Sequence, residues 1–455
     1  MVPLLARLGL NGDESVGAQA LSASGSRFIA TNNVINDEAW PWRQVLDADS
    51  GYLVLMSTYL VLGLGMQGTA AAHDLIIHGA ATRLLLVDAD EERLAKAAER
   101  LARLTDFEAL EQHVLDADDG ALVQLFERAE LCMNCLPYKF SLAMTRLALD
   151  HGVHIADLGG NTAIVREQLS MARAHPRGAQ TAVLPDCGLM PGMGNLFAAF
   201  ALDELGDCDS IYLRCCGLPT DPKPPLDYMM LFNVNGLINE YFGMAQVLRN
   251  GELLDVPTFG ELETLELPMP ANLPGVSHKF EAFLTSGGLS TTPWSFAGRV
   301  QNLDYKTVRY AGHHAKFHLL KELGLFEEKP MEVPELGSAM GAHAPMANVA
   351  PRAVLGVCLE RVLHHPGDED LAFLRCTATA GDKCLELEIF DIRDSKTGFT
   401  AMERTTAYSA TACLYGVVIG KTKIGAGPIE SAVDATWYLD ALAERGIPVS
   451  VRRTS

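Results

Sequence analysis

Basic residues are scarce in this chain. Its 455 residues include 36 lysines and arginines against 57 aspartates and glutamates, which gives a formal net charge of −21. Such an excess of negative charge repels nucleic acid and anionic membrane surfaces, so we expect neither as a partner. Long apolar runs are also lacking, because none reaches the roughly 18 to 20 residues that a membrane-spanning helix needs.

Signals typical of exported proteins are missing from the sequence as well. The first twenty residues lack the basic, then apolar, then small order of a signal peptide. The ten cysteines are scattered, several of them within apolar runs, as is typical of buried thiols in a reducing compartment. Cys132 and Cys135 form a C-x-x-C, but no second pair follows at zinc spacing, so we expect no metal site. Together these features predict a cytoplasmic protein.

The length of the chain exceeds what one hydrophobic core supports and indicates more than one domain. Residues 1–55 include NGDESVGAQALSASGSRF, which is small, polar and weakly periodic. We interpret residues 1–55 as a poorly ordered N-terminal extension, or as residues upstream of the native start. In the second case Met56 would open the folded chain.

The segment YLVLGLGMQG contains the glycine motif G-x-G-x-x-G. The apolar run YLVLGLG predicts a buried parallel strand, TAAAHDLIIHG predicts a helix, and TRLLLVDAD predicts a second buried strand. Gly63, Gly65 and Gly68 provide the tight turn, the close approach of backbone to a pyrophosphate, and the close packing of helix on strand. The helix N-terminus, with Met66 and Gln67, then offers free N–H groups to the phosphates. We therefore predict an α/β Rossmann dinucleotide-binding domain over residues 56–185.

The choice of cofactor is suggested by the end of the second strand. Asp88 lies there, twenty residues after Gly68, where its carboxylate can accept hydrogen bonds from the ribose hydroxyls. Asp90, Glu91 and Glu92 follow before the first basic residue, Arg93. Because negative charge repels the 2′-phosphate of NADP, the sequence favours NAD.

Alternation of strands and helices continues to about residue 185. In a doubly wound sheet, ligands bind beyond the carboxyl ends of the strands. Asn134, Leu136 and Pro137 follow one predicted strand, and we expect them near the nicotinamide half of the cofactor. Asp116 follows another strand and either lies near the adenine or caps a turn.

Four later segments form long and unusual patterns. They are DCGLMPGMGN (186–195), CGLPTDPKPPLDY (216–228), LINEYFGMAQVLRNGE (237–252) and LDYKTVRYAGHHAKFHLLKELGLF (303–326). In these segments the chain resembles the saccharopine dehydrogenase-like family, and most closely its lysine 6-dehydrogenase branch. Ala311 stands where that family usually has proline, and LFNVNG (231–236) stands where relatives often have a Trp-Ser pair.

The resemblance implies how the rest of the chain is organised. After the Rossmann domain it implies an α+β domain over residues 186–415 that builds the substrate site and a dimer contact. Residues 416–455 would then pack back on the first domain. The expected partners are a small amino acid substrate and a second copy of the chain.

Oxidation of a C–N bond by NAD requires a neutral amine and a fixed remote carboxylate. Arg309 is the candidate for gripping that carboxylate, and His313 is the candidate base, since its side chain titrates in the right range. Glu240 could hold a substrate ammonium, and Asp186 lies at the domain crossover beside the expected nicotinamide. A surface ion pair for Arg309 and a solvated helix face for Glu240 stay open as simpler interpretations. The remaining candidates for substrate contact are Lys223, Tyr241 and Tyr310.

The resemblance favours NAD-dependent oxidative deamination of L-lysine at C6, which gives allysine and, after ring closure, Δ1-piperideine-6-carboxylate. A saccharopine dehydrogenase is the close alternative, but the matched segments hold few basic residues for a substrate with several carboxylates. A polyamine-forming enzyme is a third alternative. A non-catalytic NAD-binding regulatory protein is the alternative from another class, and the presence of Arg309, Tyr310 and His313 together argues against it.

Overall fold

The computed structural model describes residues 57–267, 279–334 and 346–454, together with the backbone of Gln44–Leu46 (β1) and Leu53–Leu55 (β2). These two short strands pair antiparallel with each other. The rest of the predicted N-terminal extension lies outside the described residues, so its expected disorder stays a prediction.

The first domain is built on a parallel sheet of six strands in the order β5-β4-β3-β6-β7-β8. The strands are β3 (Thr58–Leu62), β4 (Arg83–Asp88), β5 (Leu110–Val114), β6 (Leu131–Asn134), β7 (His154–Asp157) and β8 (Val183–Leu184). The helices between them are α1 (Met66–Ile77), α2 (Glu91–Leu104), α3 (Leu122–Phe126), α4 (Ser141–His151) and α5 (Thr162–Ala174). The predicted Rossmann architecture is confirmed, and the strand order reverses between β3 and β6, where such sheets bind ligands.

Local sequence explains why these elements form where they do. Residues Tyr59 to Leu62 of β3 are fully buried on both faces, as expected of a continuous apolar run in a parallel sheet. Helix α2 begins after Asp90, whose carboxylate accepts the Arg93 N–H at 3.0 Å. Glu91 and Glu92 in the first turn add a favourable interaction with the helix dipole. The acidic run after Asp88 therefore also serves to start a helix.

The second domain contains a mixed sheet of nine strands, with the central order β11-β10-β14-β9-β17-β18-β19. Its strands are β9 (Cys208–Pro219), β10 (Met244–Arg249), β11 (Glu252–Pro257), β12 (Glu263–Glu266), β13 (Lys279–Leu284), β14 (Val300–Tyr310), β17 (Asp370–Ala380), β18 (Lys383–Ile392) and β19 (Ser450–Thr454). A separate two-stranded sheet pairs β15 (Met331–Pro334) with β16 (Met346–Val349). Strand β14 runs parallel to β9 on one side and antiparallel to β13 on the other.

Eight helices of the described residues accompany this sheet. They are α6 (Met193–Leu205), α7 (Val234–Tyr241), α8 (Thr292–Ser295), α9 (His313–Glu322), α10 (Pro351–Leu363), α11 (Ala401–Val418), α12 (Ile429–Ala432) and α13 (Ala435–Glu444). Within the described ranges, no helix is long and apolar enough to cross a bilayer.

The chain returns to the first domain after β18. Helix α11 packs along α1, and α13 packs on α11 and α6. The side chain of Arg445, just after α13, is buried against Asp74 of α1, with Nε 2.9 Å from Oδ2. The last strand, β19, instead pairs antiparallel with β18 and so extends the second sheet. The C-terminal segment therefore contacts both domains.

Candidate active site

A cavity of about 1000 Å³ lies between the two domains. Its first wall consists of the loops that follow β3, β6, β7 and β8, at the carboxyl edge of the parallel sheet. The opposite wall comes from β9, β10, β14, α7 and the loop of residues 285–290. The cavity is thus placed where a doubly wound sheet binds its ligand.

The glycine turn after β3 has the geometry expected for binding a pyrophosphate. Gly63 has φ of +83°, which a residue with a side chain rarely adopts. A Cβ on Gly68 would lie 1.8 Å from the Gly63 carbonyl oxygen, so α1 can approach the turn only because Gly68 has no side chain. A Cβ on Gly65 would meet no atom within 4 Å, and Gly65, Met66 and Gln67 line the cavity. The N-terminus of α1 therefore faces open space that suits a dinucleotide.

Asp88 lies at the end of β4 and is almost fully buried. Its carboxylate accepts the Leu64 N–H at 2.7 Å and the Asp90 N–H at 2.9 Å, so it also holds the glycine turn in place. Arg93 reaches back from α2, with Nη1 3.1 Å from Asp88 Oδ1, and lines the cavity. An arginine therefore stands at the expected ribose position, although the sequence places it after three acids.

The other cofactor candidates differ in their positions. Leu136 and Pro137 line the cavity after β6, and buried Asn134 shapes their loop because its Oδ1 accepts the Leu136 N–H at 3.2 Å. Asp116 is exposed beyond the end of β5, where its carbonyl accepts the Asp119 N–H in a turn. The structure thus brings the predicted nicotinamide loop to the cavity but leaves Asp116 outside the cavity lining.

The charged end of the cavity is formed by Arg309 and Glu240. Arg309 is 2% exposed, and its Nη2 lies 3.0 Å from Glu240 Oε2. Its Nε donates to the Tyr241 hydroxyl at 2.9 Å, and its Nη1 donates to the Val308 carbonyl at 3.0 Å. Burial raises the pKa of Glu240, although the Arg309 charge opposes that shift. Arg309 is therefore held in one orientation by three protein acceptors before any substrate binds.

His313 lies behind this pair and does not line the cavity. It is 1% exposed at the first turn of α9, its Nε2 is 2.9 Å from the Tyr241 hydroxyl, and its ring stacks on Phe317. The Tyr241 oxygen accepts from Arg309, and its own hydrogen can be donated to His313 Nε2 when that nitrogen is unprotonated. Burial, followed by the Arg309 charge, holds the pKa of His313 well below its ordinary value. In this conformation His313 supports Arg309 through Tyr241 and does not reach the cavity.

Tyr310 and Lys223 also lie outside the cavity lining. Side chains alternate along a strand, so Tyr305, Thr307 and Arg309 of β14 face the cavity while Tyr310 faces away. The Tyr310 hydroxyl instead donates to the Pro219 carbonyl at 2.7 Å. Lys223 pairs with Asp368 near the surface. Neither side chain is placed to touch a substrate held in the cavity.

The structure adds residues that the sequence analysis did not select. Ser290, Arg352 and Glu328 line the cavity, and Arg352 Nη1 lies 3.2 Å from Glu328 Oε1. Asn233, in the unusual LFNVNG segment, lines the cavity too, whereas Ala311 is exposed outside it. Gly287 and Gly288, shortly before Ser290, are the local sequence signal for this loop. Within the described ranges, no group of three or more His, Cys, Asp or Glu residues is arranged to hold a metal ion.

Asp186 lies at the crossover between the domains, directly behind the cavity wall. It is 3% exposed, it has φ of +60°, and its Oδ2 accepts the hydroxyl hydrogen of Ser290. Its other oxygen fits against Gly159, where a Cβ would lie only 1.5 Å away. The predicted catalytic carboxyl is therefore linked to the cavity through a hydroxyl rather than by direct exposure.

Comparison with known proteins gives consistent results for the two domains. Residues 59–183 match the family model of the saccharopine dehydrogenase NADP binding domain, and residues 188–447 match that of the saccharopine dehydrogenase C-terminal domain. A curated relative from Schizosaccharomyces pombe, named saccharopine dehydrogenase [NADP(+), L-glutamate-forming], is 22% identical over 224 residues, which is 47% of each protein. The alignment thus spans about half the length of that relative.

A solved structure of similar fold extends this comparison to most of the chain. Apo saccharopine dehydrogenase (L-Glu forming) from Saccharomyces cerevisiae superposes with a TM-score of 0.64 at 16% identity, over 88% of this chain and 100% of the other. At that identity the likeness concerns the fold. The parallel nucleotide-binding sheet, the mixed second sheet and the two family models agree, and the chain belongs to the saccharopine dehydrogenase family.

Proposed function

We propose that this protein is an NAD-dependent oxidoreductase that deaminates L-lysine at C6. The observation that carries the choice of substrate is the charge balance of the cavity. Among the described residues, three arginines line the cavity and each is paired with a carboxylate: Arg93 with Asp88, Arg309 with Glu240, and Arg352 with Glu328. Asp255 adds a further carboxylate to the lining. A cavity without an uncompensated arginine suits a substrate that brings more ammonium than carboxylate groups.

Lysine fits this balance better than saccharopine does. Lysine has two amines and one carboxylate, and Arg309 can donate to that carboxylate with the N–H groups not used by its protein partners. Saccharopine joins two amino acid moieties and brings several carboxylates, each of which needs a positive partner in a desolvated site. A saccharopine dehydrogenase stays the second candidate, because the curated relative and the superposed yeast protein bear that name.

The residues of this chain would have separate roles in the proposed reaction. A bound nicotinamide would accept the hydride that leaves C6. Arg309, fixed by Glu240 and Tyr241, would hold the substrate carboxylate and so keep the carbon in register. The loops after β6 and β7 would exclude bulk water until the imine forms. Hydrolysis of that imine and ring closure would give Δ1-piperideine-6-carboxylate.

The proposed preference for NAD is supported by Asp88. The carboxylate ends β4 and is fixed by two backbone N–H groups, and an acid at the end of the second strand of this fold typically binds the ribose hydroxyls of NAD. The family model and the name of the curated relative refer to NADP, and Arg93 would be the residue to bind a 2′-phosphate here. Asp88 and Asp90 both lie within ion-pair distance of Arg93, and their negative charges oppose the binding of a 2′-phosphate there.

The test is formation of NADH or NADPH by the purified protein with each candidate substrate. We expect a signal with NAD and L-lysine, and little signal with saccharopine, ornithine or putrescine. A signal with saccharopine alone would transfer the function to the saccharopine dehydrogenase reaction. A signal with putrescine alone would indicate polyamine chemistry. Tight binding of NAD without turnover of any amine would support a regulatory NAD-binding protein.

A further inference from the structure

Three carboxyl side chains are buried behind the wall of the cavity, and two of them act electrostatically on the third, Asp186. They are Asp157 at the end of β7, Asp186 after β8, and Glu430 in α12. Among the described residues, their side-chain hydrogen-bond partners are all neutral: Gln168 for Asp157, Ser290 for Asp186, and Thr291 with Ser295 for Glu430. Burying carboxylates without a cation is costly, so such a cluster favours holding protons.

Of the three, Asp186 has a direct connection to the cavity. Its Oδ2 accepts the hydroxyl of Ser290, which lines the cavity, whereas Thr291 and Ser295 are not part of the lining. Its Oδ1 is buried and makes no side-chain hydrogen bond among the described residues. The Asp186 carboxyl is therefore one hydroxyl away from the cavity.

The Ser290 loop is fixed in place by tertiary contacts. Asn195 Nδ2 donates to the Leu289 carbonyl at 2.7 Å, and Thr291 donates to Glu430 at 2.7 Å. Ser290 itself has φ of +47°, an unfavourable conformation for a residue with a side chain. The Ser286 N–H donates to the Glu240 carbonyl at 2.8 Å, which ties this loop to the charged end of the cavity. The hydroxyl is thus held between Asp186 and the cavity.

We propose that Ser290 and Asp186 form a proton relay that deprotonates the amine before its oxidation. The Ser290 hydroxyl would contact the substrate ammonium, and Asp186 would act through it. One N–H bond of the ammonium breaks as its proton moves to the Ser290 oxygen. The original Ser290 O–H bond breaks as that proton moves to Asp186 Oδ2. The amine is then neutral, Ser290 is unchanged, and Asp186 carries the proton. The identity of the amine rests on the proposed function.

The electrostatics of the cluster are consistent with this role. Burial raises the pKa of Asp186 to about 8, the neighbouring carboxylates Asp157 and Glu430 raise it too, and bonding to Ser290 and the Gly160 N–H opposes these effects. The adjacent Cys187 thiol is buried with a raised pKa and stays neutral. Burial of a bound ammonium lowers its pKa towards that of Asp186, which reduces the cost of the transfer. The ionised form of Asp186 is the base, so kcat/KM should rise with pH through the region of about 8.

The test compares the pH dependence of turnover in wild type, Asp186→Asn and Ser290→Ala. Both variants keep the size of the side chain nearly constant. We expect each to lose about 100-fold or more in kcat, the usual contribution of general base catalysis, and to lose the rise in kcat/KM near pH 8. A variant that keeps the wild-type rate and rise would overturn the relay. Thermal unfolding separates loss of the relay from failure to fold.

Two matched variants exclude a merely structural effect. Ser295→Ala removes a hydroxyl from the same carboxyl cluster but outside the cavity lining, and we expect its rate to match wild type. Glu430→Gln removes a charge that raises the pKa of Asp186, so the rise in kcat/KM should move to lower pH while the plateau is kept. A loss of rate in Ser295→Ala equal to that in Ser290→Ala would contradict the proposal.

An infrared titration tests Asp186 independently of turnover. A buried protonated carboxyl gives a carbonyl band, which should titrate near pH 8 in wild type and be missing in Asp186→Asn. If no candidate amine is oxidised, the proposed function fails. The proton-holding role of Asp186 then stands if this band titrates, and it fails if the band does not. The relay itself is overturned if an amine is oxidised with no dependence on Ser290.

Discussion

Arg309 Nη2 lies 3.0 Å from Glu240 Oε2, so the two charged side chains at this end of the cavity neutralise each other. The arginine comes from β14 and the glutamate from α7, and both line the cavity. Binding of a single substrate carboxylate beside this pair is compatible with its geometry. Binding of several substrate carboxylates would be opposed by the negative charge of Glu240. The first prediction follows from this repulsion.

Glu240→Gln should relax discrimination against dicarboxylates. With its partner neutral, Arg309 would keep a full positive charge, and we expect inhibition by glutarate to strengthen about tenfold, which corresponds to about 1.4 kcal/mol. Turnover of lysine should fall, because Arg309 loses one of the groups that orient it. Inhibition constants measured at constant salt test this. Glu322→Gln, an exposed charge on α9, serves as control, and equal inhibition in both variants would argue against the proposed role of the pair.

Substitutions at Asp88 and at Arg93 should have opposite effects on the preference for NAD over NADP. We expect Asp88→Ala to raise the KM for NAD about tenfold, since a charge-assisted hydrogen bond to the ribose is lost. Arg93→Ala should change the KM for NAD only slightly and weaken any use of NADP. Initial rates with both cofactors measure this. A wild-type kcat/KM that is higher with NADP than with NAD would show that the NAD proposal is wrong.

Tyr241 and Tyr310 offer a matched pair of hydroxyl deletions. Tyr241→Phe would leave the Arg309 Nε and the His313 Nε2 unpaired in a buried site, which should cost about 1–3 kcal/mol in the free energy of unfolding and raise the KM for substrate. Tyr310→Phe removes only the bond to the Pro219 carbonyl, so it should cost stability without changing KM. Urea denaturation measures the free energy of unfolding of both variants, and steady-state kinetics measure their KM for substrate. A raised KM for substrate in Tyr310→Phe would contradict the assignment of Tyr310 to the side of β14 that faces away from the cavity.

The buried pair of Asp74 and Arg445 should stabilise the contact of the C-terminal segment with the first domain. Arg445→Met leaves Asp74 buried with the Thr411 hydroxyl as its remaining side-chain partner, and we expect a loss of about 3–5 kcal/mol in the free energy of unfolding. The double variant Asp74→Asn with Arg445→Met should recover part of this loss, because the uncompensated charge is gone. Equal losses in the single and double variants would show that packing, and not charge, dominates.

Much of the first domain could be predicted from the sequence because its signals are local. The apolar runs of β3 and β4, the spacing of Gly63, Gly65 and Gly68, and the acid at position 88 all lie within one short segment, and each has a direct backbone consequence. The alternation of strand and helix then determines the parallel sheet and the edge where ligands bind. The resemblance of the later segments correctly indicated the family and the second domain.

The candidate site required the tertiary structure for two physical reasons. Whether Arg309 or Tyr310 faces the cavity depends on how β14 pairs with its neighbours, and pairing is set by residues far along the chain. Asp186 and Ser290 are separated by 104 positions, and Asp74 and Arg445 by 371, so no local pattern connects them. By itself the sequence determined which side chains are available and which local backbone they favour. Only the folded structure decided which of these side chains are buried together. In it Arg309 is buried beside Glu240, and burial raises the pKa of Asp186.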